Sequence, residues 1–337
     1  MKTPVLLLVF NRPDLTEKVF NRIAEAKPEK LFLVSDGPRE GNADDEKSNA
    51  EVKKILENVT WDCEVHRNYS DKNLGCGIRV ASGISWVFEH VDRAIILEDD
   101  CLPDPTFFRF CDELLERYKD DRRIMNISGK NLQYEHVNAR DSYFFSRYPV
   151  TWGWATWRRA WDYYDYHLTL WNQLKETDFP LQVTKYENTA EYLRHHFNNT
   201  FRNDPPADIY SSDYTYTWDY QWVFACWAQQ GLSIVPDRNL VSNVGFGEDA
   251  THTTDENHEF AAMPVSRMEF PLKHPKHKIV HSKADNLHFK KMSSSLNNIG
   301  KKKASLTLRT RNKLIRLFRD FNLLPSKSLL PSKSQNT

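Results

Sequence analysis

Residues 94–105, AIILEDDCLPDP, run an apolar segment into three consecutive carboxylates, Glu98, Asp99 and Asp100, and then into a proline-rich turn. Adjacent like charges raise one another's pKa unless a cation is present. A hard divalent ion, Mn2+ or Mg2+, bound by one or two carboxylates together with phosphate oxygens, would resolve the conflict. Successive side chains of a strand point to opposite faces, so Glu98 and Asp100 share one direction and Asp99 takes the other. The competing reading is a solvated acidic turn. The position of the cluster, at the carboxyl end of a buried-looking strand, favours the ion.

The elements that must position this cluster are legible upstream and downstream. VLLLVF (5–10) reads as a buried strand, and Asp14 is placed to N-cap the helix LTEKVFNRIAEA. Then follow KLFLVSDG (30–37), a polar helix near 44–58, CEVHRN (63–68), a helix near 77–90, and RAIILEDD (93–100). A helix opened by Asp104-Pro105 and the strand IMNISG (124–129) complete the first half. Such alternation predicts an α/β fold, a mostly parallel sheet with helices on both faces. Ligands of such sheets bind beyond the carboxyl ends of the strands. Three of those ends are polar: Asn11-Arg12, Ser35-Asp36-Gly37 and Glu98-Asp99-Asp100. No GxGxxG or GxxxxGK[ST] follows the first strand, which disfavours a dinucleotide or P-loop site.

Beyond residue 130 the chain becomes aromatic, in TWGWATWRRAWDYYDY (151–166) and YTWDYQWVFACWAQQG (216–231), with a helix expected from about 219 to 230 and a short strand at SIVPD (233–237). Three divisions are expected: 1–130 and 131–270 as two halves of one domain, and 271–337 as a basic extension. The zero net charge of the 337 residues conceals this split. Residues 271–337 hold 16 of the 46 Lys/Arg but only Asp285 and Asp320 of the 46 acids, leaving 30 bases against 44 acids in the rest. Within the extension, LTLRTRNKLIRLFRDFNLL forms a basic amphipathic helix that would either lie on an anionic membrane or pack on the body. LLPSKS then repeats in tandem. Five cysteines without a CxxC pair argue against a disulfide framework or zinc site. No apolar stretch approaches the roughly 18 residues of a membrane span. A cytoplasmic protein is expected, with peripheral attachment to the cytoplasmic membrane face as a role for the tail.

The stretch IILEDDCLPDPTFFRF resembles the metal-binding segment of GT-A nucleotide-sugar glycosyltransferases, in particular the N-acetylglucosaminyltransferase-I-like group, whose variant of the DxD motif is Glu-Asp-Asp. VFNRPDLTEKVF, FLVSDGP, NYSDKNLGCG, IMNISGKN, SYFFSRYPVTWGWATWRRAWD, TWDYQW and VGFGEDATHT follow in the same order, over roughly residues 3–255; the layout is also similar to bacterial family-two-like transferases. The resemblance implies a GT-A, Rossmann-like domain, a UDP-sugar donor, a glycan or lipid-linked acceptor, and no nucleic-acid partner.

It also implies roles for individual positions. Phe10 and Arg12 would lie against the uridine or its phosphates, and Asp36 would accept a hydrogen bond from the uracil ring. Asn73, Leu74 and Gly75 would border the donor, with Arg67 or Arg79 reaching a phosphate. Glu98 and Asp99 would face the donor while Asp100 binds the metal, approached by His252. Asp219, in TWDYQW, stands where the family places its base, and Asp213 and Asp162 are reserves. Arg12 and Asp36 have a plain alternative as a loop ion pair or turn cap, Asp219 as an ordinary N-cap and His252 as a surface histidine. Trp152 and Trp154, flanking Gly153, would wall the acceptor or donor sugar, whereas Trp157 and Trp161 read as core. Two other function classes compete. A metal-dependent phosphohydrolase or nuclease would need carboxylates on several strands to hold two metals. A non-catalytic sugar-nucleotide-binding module would keep the fold without turnover.

Overall fold

The computed structural model describes residues 1–133, 140–184, 187–201, 217–247 and 260–291. The chain divides into two units, Met1–Phe289 and Lys290–Thr337. The expected amphipathic tail helix, together with His252 and Asp213, lies outside the described residues.

The first half is built from β1 (Val5–Val9), α1 (Pro13–Ala26), β2 (Lys30–Ser35), α2 (Ala43–Leu56), β3 (Glu64–Tyr69), α3 (Gly75–His90), β4 (Arg93–Glu98), β5 (Cys101–Pro103), α4 (Thr106–Arg117) and β6 (Ile124–Ser128). There follow β7 (Tyr143–Ser146), β8 (Trp154–Trp157), α5 (Arg158–Trp161), α6 (Trp171–Leu174), α7 (Phe179–Val183), α8 (Glu187–Thr200), α9 (Asp219–Ala228), β9 (Leu232–Pro236) and β10 (Val241–Asn243). Eight strands make one sheet in the order β3-β2-β1-β4-β8-β6-β9-β7, and β5 pairs separately with β10. Only β8 and β7 run against the others, so the sheet is mixed and mostly parallel.

Both faces of the sheet are covered, which is why β1 is apolar at every position. Val5, Leu7 and Val9 pack with Val19 and Phe20 of α1, Val52 of α2 and Phe107 and Leu114 of α4. The alternate residues Leu6 and Leu8 pack with Val80 and Ile84 of α3, Phe197 of α8 and Trp222 of α9. Each such side chain removed from water contributes about 1.5–3 kcal/mol.

One local expectation fails. Asp14 does not cap α1: the helix begins at Pro13, Arg12 takes the cap position without a side-chain bond, and Asp14 falls in the first turn. Proline suits the first helical position because its fixed φ is helical and its missing N–H is not needed there. The consequence is that Arg12 is held where β1 ends and α1 begins. Among the described residues no helix is long and apolar enough to cross a membrane.

Candidate functional site

From β1 the chain moves outward to β2 and β3, and from β4 it moves the other way, towards β8 and β6. The carboxyl ends of β1 and β4 therefore flank a crevice at the sheet's switch point, the place where open α/β sheets take ligands. Glu98, the last residue of β4, is in register with Leu8. The two polar strand ends, Phe10-Asn11-Arg12 and Glu98-Asp99-Asp100, thus meet.

Arg12 joins them. One guanidinium nitrogen lies 2.6 Å from Oδ1 of buried Asp99, and the other 3.2 Å from Oδ2 of Asp100. The Phe10 N–H donates to Asp99 Oδ2 at 3.3 Å. Burial alone would lower the Arg12 pKa, but Asp99, Asp100 and Glu98 outweigh it and hold the guanidinium firmly charged. One cation nevertheless faces three carboxylates. Burial, then the charges of Asp100 and Asp99, push Glu98 well above the usual carboxylate range, and burial pushes Asp99 up to about 6 despite Arg12.

The roof of this corner comes from the far end of the sequence. β10 runs antiparallel to β5, with Asn243 opposite Cys101, and the Val244 N–H donates to the Asp100 carbonyl at 2.9 Å. Gly245 then passes so close that a Cβ there would lie 2.7 Å from Arg12 Nη1. Only glycine leaves room for the Arg12–Asp100 pair.

Asp219 opens α9 on the other side. Its Oδ1 accepts from the Thr217 hydroxyl and from the Tyr220 N–H, while Oδ2 has no hydrogen-bond partner among the described residues. Burial raises the Cys76 thiol well above its ordinary pKa, and Glu98, Asp219 and Asp100 add to the effect; Asp219 also adds to the upward push on Glu98. Asp162, one reserve, lines instead an open cavity of about 1030 Å³ with Lys2, Glu29 and Arg158.

Asp36 is buried and fully engaged. Oδ1 accepts from the N–H groups of Gly37 and Leu74, both at 2.9 Å, and Oδ2 from the Gly75 N–H at 2.9 Å and from Asn73 Nδ2 at 3.2 Å. No residue local to α3 caps it, so Asp36 supplies the cap from the end of β2. Arg79 turns its guanidinium to the Ser35 carbonyl at 3.2 Å and to Asn68. Arg67, on edge strand β3, pairs with Glu57 at 3.0 Å.

The two candidate wall tryptophans part company. Trp154 is 1 % exposed and sits among Trp161, Trp218 and Trp222, so its ring faces the interior. Trp152 stays partly exposed, edge-on to Phe246 and Phe260 at 5.9 and 6.2 Å. Beside it lies a residue the sequence reading passed over. Lys130, fully buried, directs its ammonium over the Trp152 ring at 5.1 Å and donates to the Phe260 carbonyl at 3.2 Å. Burial lowers it to about 8, against the upward pull of Cys101 and Asp100. In sequence it stands two residues past the end of β6, in ISGKN, with nothing to mark it as buried.

Among the described residues no group of three or more His, Cys, Asp or Glu side chains is arranged to hold a metal ion. The residues do fit a different kind of metal site. Glu98, Asp99 and Asp100 are hard oxygen donors in net negative excess over Arg12, which suits an ion held by one carboxylate and completed by phosphate oxygens and water.

No protein-family model matches the chain, and no curated protein matches it. Several solved structures are similar. One is a mannosyltransferase from Pyrobaculum calidifontis in complex with GDP-Man and Mn2+, 14% identical over 48% of this chain and 46% of that one, with a TM-score of 0.34. Another is an apo UDP-glucose pyrophosphorylase, 8% identical over 70% and 90%, with a TM-score of 0.32. A third is mouse xyloside xylosyltransferase 1 in its apo form, 14% identical over 66% and 81%, with a TM-score of 0.29. This chain spans less than half the length of the mannosyltransferase. Likenesses of this degree leave any assignment to rest on the residues themselves.

Proposed function

We propose that the chain is a metal-dependent glycosyltransferase of the GT-A kind, which moves a sugar from a UDP-sugar to a glycan or lipid-linked acceptor with inversion. The observation that carries this reading is the acidic corner in the switch-point crevice, bridged by Arg12.

Asp100 would be the direct ligand of a divalent ion, with His252 as the second candidate. The ion, when bound, would offset the charge that builds on the departing diphosphate. Arg12 would supply a fixed cation for the same phosphates, with Phe10 two residues before it, just past the end of β1. Glu98 would face the donor, whereas Asp99, buried with its oxygens on Arg12 and the Phe10 N–H, instead holds Arg12 in place. Asp36 with Asn73 and Gly75 forms the rim where the base would lie, acting through the cap that holds the start of α3. Arg67 and Arg79 would contact phosphate only by leaving their present partners.

Asp219 is the proposed base. It opens α9, and its Oδ2, without a hydrogen-bond partner among the described residues, can accept an acceptor hydroxyl's proton. Trp152 walls the sugar. Two-metal hydrolysis is the weaker reading, because Asp36, the carboxylate at the end of β2, already has all its oxygens engaged by N–H groups.

The test is transfer from a panel of nucleotide-sugars with Mn2+. Asp219→Asn should reduce turnover by about 10²-fold or more, the usual contribution of a positioned base, and leave UDP affinity unchanged. Full activity in Asp219→Asn would remove Asp219 from the mechanism.

A further inference from the structure

On the α4 side of the β5·β10 pair lies a second cavity of about 780 Å³, lined by Arg109, Arg238, Arg267, Met268, Glu269 and Phe270. Its walls are tied together by main-chain bonds: Asp104 N–H to the Leu240 carbonyl at 2.8 Å and Ser266 N–H to the Asn239 carbonyl at 2.8 Å. The Met268 N–H donates to Thr106 Oγ1 at 2.9 Å. The cavity is therefore framed before any ligand arrives.

Three guanidiniums line it against one carboxylate, Glu269. Arg238 is loosely satisfied, 3.6 Å from Glu269 and 3.4 Å from Asp237, and donates to the Arg267 carbonyl at 2.8 Å. Arg109 is exposed and lies 4.0 Å from the centre of the Phe270 ring. Among the described residues, neither Arg109 nor Arg267 has a hydrogen-bond or ion-pair partner for its guanidinium. The end of α4 adds nothing here, because Asp104 already takes the Thr106 and Phe107 N–H groups. Three guanidiniums thus meet two carboxylates, Glu269 in the lining and Asp237 beside it, and both of those lie on Arg238, leaving Arg109 and Arg267 without a counter-charge among the described residues.

Arginine forks match phosphate oxygens two at a time, and Arg109 and Arg267 are two forks with no carboxylate of their own among the described residues. The volume falls in the range of small-molecule pockets, roughly 300–1,000 Å³, far more than a lone phosphate fills. The Phe270 ring and Met268 give it an apolar side that suits the C–H face of a sugar. We propose that this cavity binds a phosphorylated saccharide, at a site separate from the crevice assigned above to the donor.

Calorimetry on the full chain tests this, with glucose 6-phosphate and inorganic phosphate as probes, each titrated with and without UDP and Mn2+. Glucose 6-phosphate should bind once per chain, more tightly than phosphate, and UDP with Mn2+ should not displace it. The double variant Arg109→Ala/Arg267→Ala, altered only at exposed side chains, should weaken binding at least tenfold. Arg109→Lys should fall between, since it keeps charge but loses the fork. Unchanged affinity in the double variant, displacement by UDP, or no binding at all would overturn the site. Equal affinity for inorganic phosphate would overturn the saccharide. The UDP signal in the same experiment reports on the crevice by itself, so failure of either assignment is read separately.

Discussion

Replacing Gly245 with alanine would drive a methyl group into the acidic corner. A Cβ built there lies 2.5 Å from the Cβ of Asp100 and 2.7 Å from Arg12 Nη1, and closer still to Asp100 Oδ2. Carbon atoms normally rest about 3.5–4.0 Å apart, so about 1 Å must be found. The tips of Arg12 and Asp100 can swing, but the Cβ of Asp100 is set by its backbone. That backbone is pinned to the roof by the Val244–Asp100 bond at 2.9 Å, and the Gly245 N–H is held by Asn243 Oδ1 at 3.0 Å. Either the roof lifts, losing main-chain bonds of about 0.5–1.5 kcal/mol each, or Asp100 rotates away from Arg12. Overpacking of this kind costs about 1–3 kcal/mol. A loss of about 2 kcal/mol is expected in urea denaturation. If it falls on Asp100, Mn2+-linked UDP affinity drops about 30-fold by the usual conversion. Gly41→Ala is the control: its φ of 73° strains any side chain, but nothing lies within 4 Å of the added methyl. It should lose some stability and no UDP affinity. Wild-type stability and binding in Gly245→Ala would refute the closeness of the roof to Asp100.

Two further predictions concern the core and the edge. Trp222 donates its indole N–H to Asn126 Oδ1 at 3.2 Å, whereas the buried Trp154 N–H has no partner among the described residues. Trp222→Phe should therefore destabilise by about 1 kcal/mol more than Trp154→Phe in chemical denaturation; equal losses would contradict this packing. Burial raises Asp285 to about 6, against hydrogen bonds from Ser146 and Arg147. The folded state thus holds a proton that the unfolded chain releases near pH 4, and the resulting stability is lost as pH rises through about 6. Between pH 7 and pH 5 the wild type should gain on Asp285→Asn by on the order of 1 kcal/mol. His288, whose burial lowers it to about 4, titrates in both proteins and cancels from the difference.

The first half of the fold was readable because both faces of its strands are buried, which turns β1, β2 and β4 into continuous apolar runs between amphipathic helices. β8 was hidden for the same physical reason working against the reader. All four residues of WATW are buried, so neither alternation nor punctuation separates the strand from the aromatic residues around it. β5 and β10 are three residues each, too short for any periodicity, and only their pairing reveals that residues 244 and 245 roof the site. The acidic cluster and Arg12 were legible as chemistry because charge at the end of an apolar strand demands an explanation. Asp36 shows the limit of such reasoning: residue type suggested a ligand contact, and only the fold reveals three N–H groups from the start of α3 and the following turn around its carboxylate. Lys130 was missed because a buried lysine looks, in sequence, like any surface one.

The most direct test of the proposed chemistry is calorimetric titration of UDP into the full chain with and without Mn2+, repeated on Asp100→Asn. Mn2+ should tighten UDP binding in the wild type by tenfold or more, and Asp100→Asn should abolish that enhancement while Arg12 retains the metal-free binding. UDP binding that ignores Mn2+, or an enhancement that survives in Asp100→Asn, would contradict a metal-linked nucleotide-sugar site at this crevice.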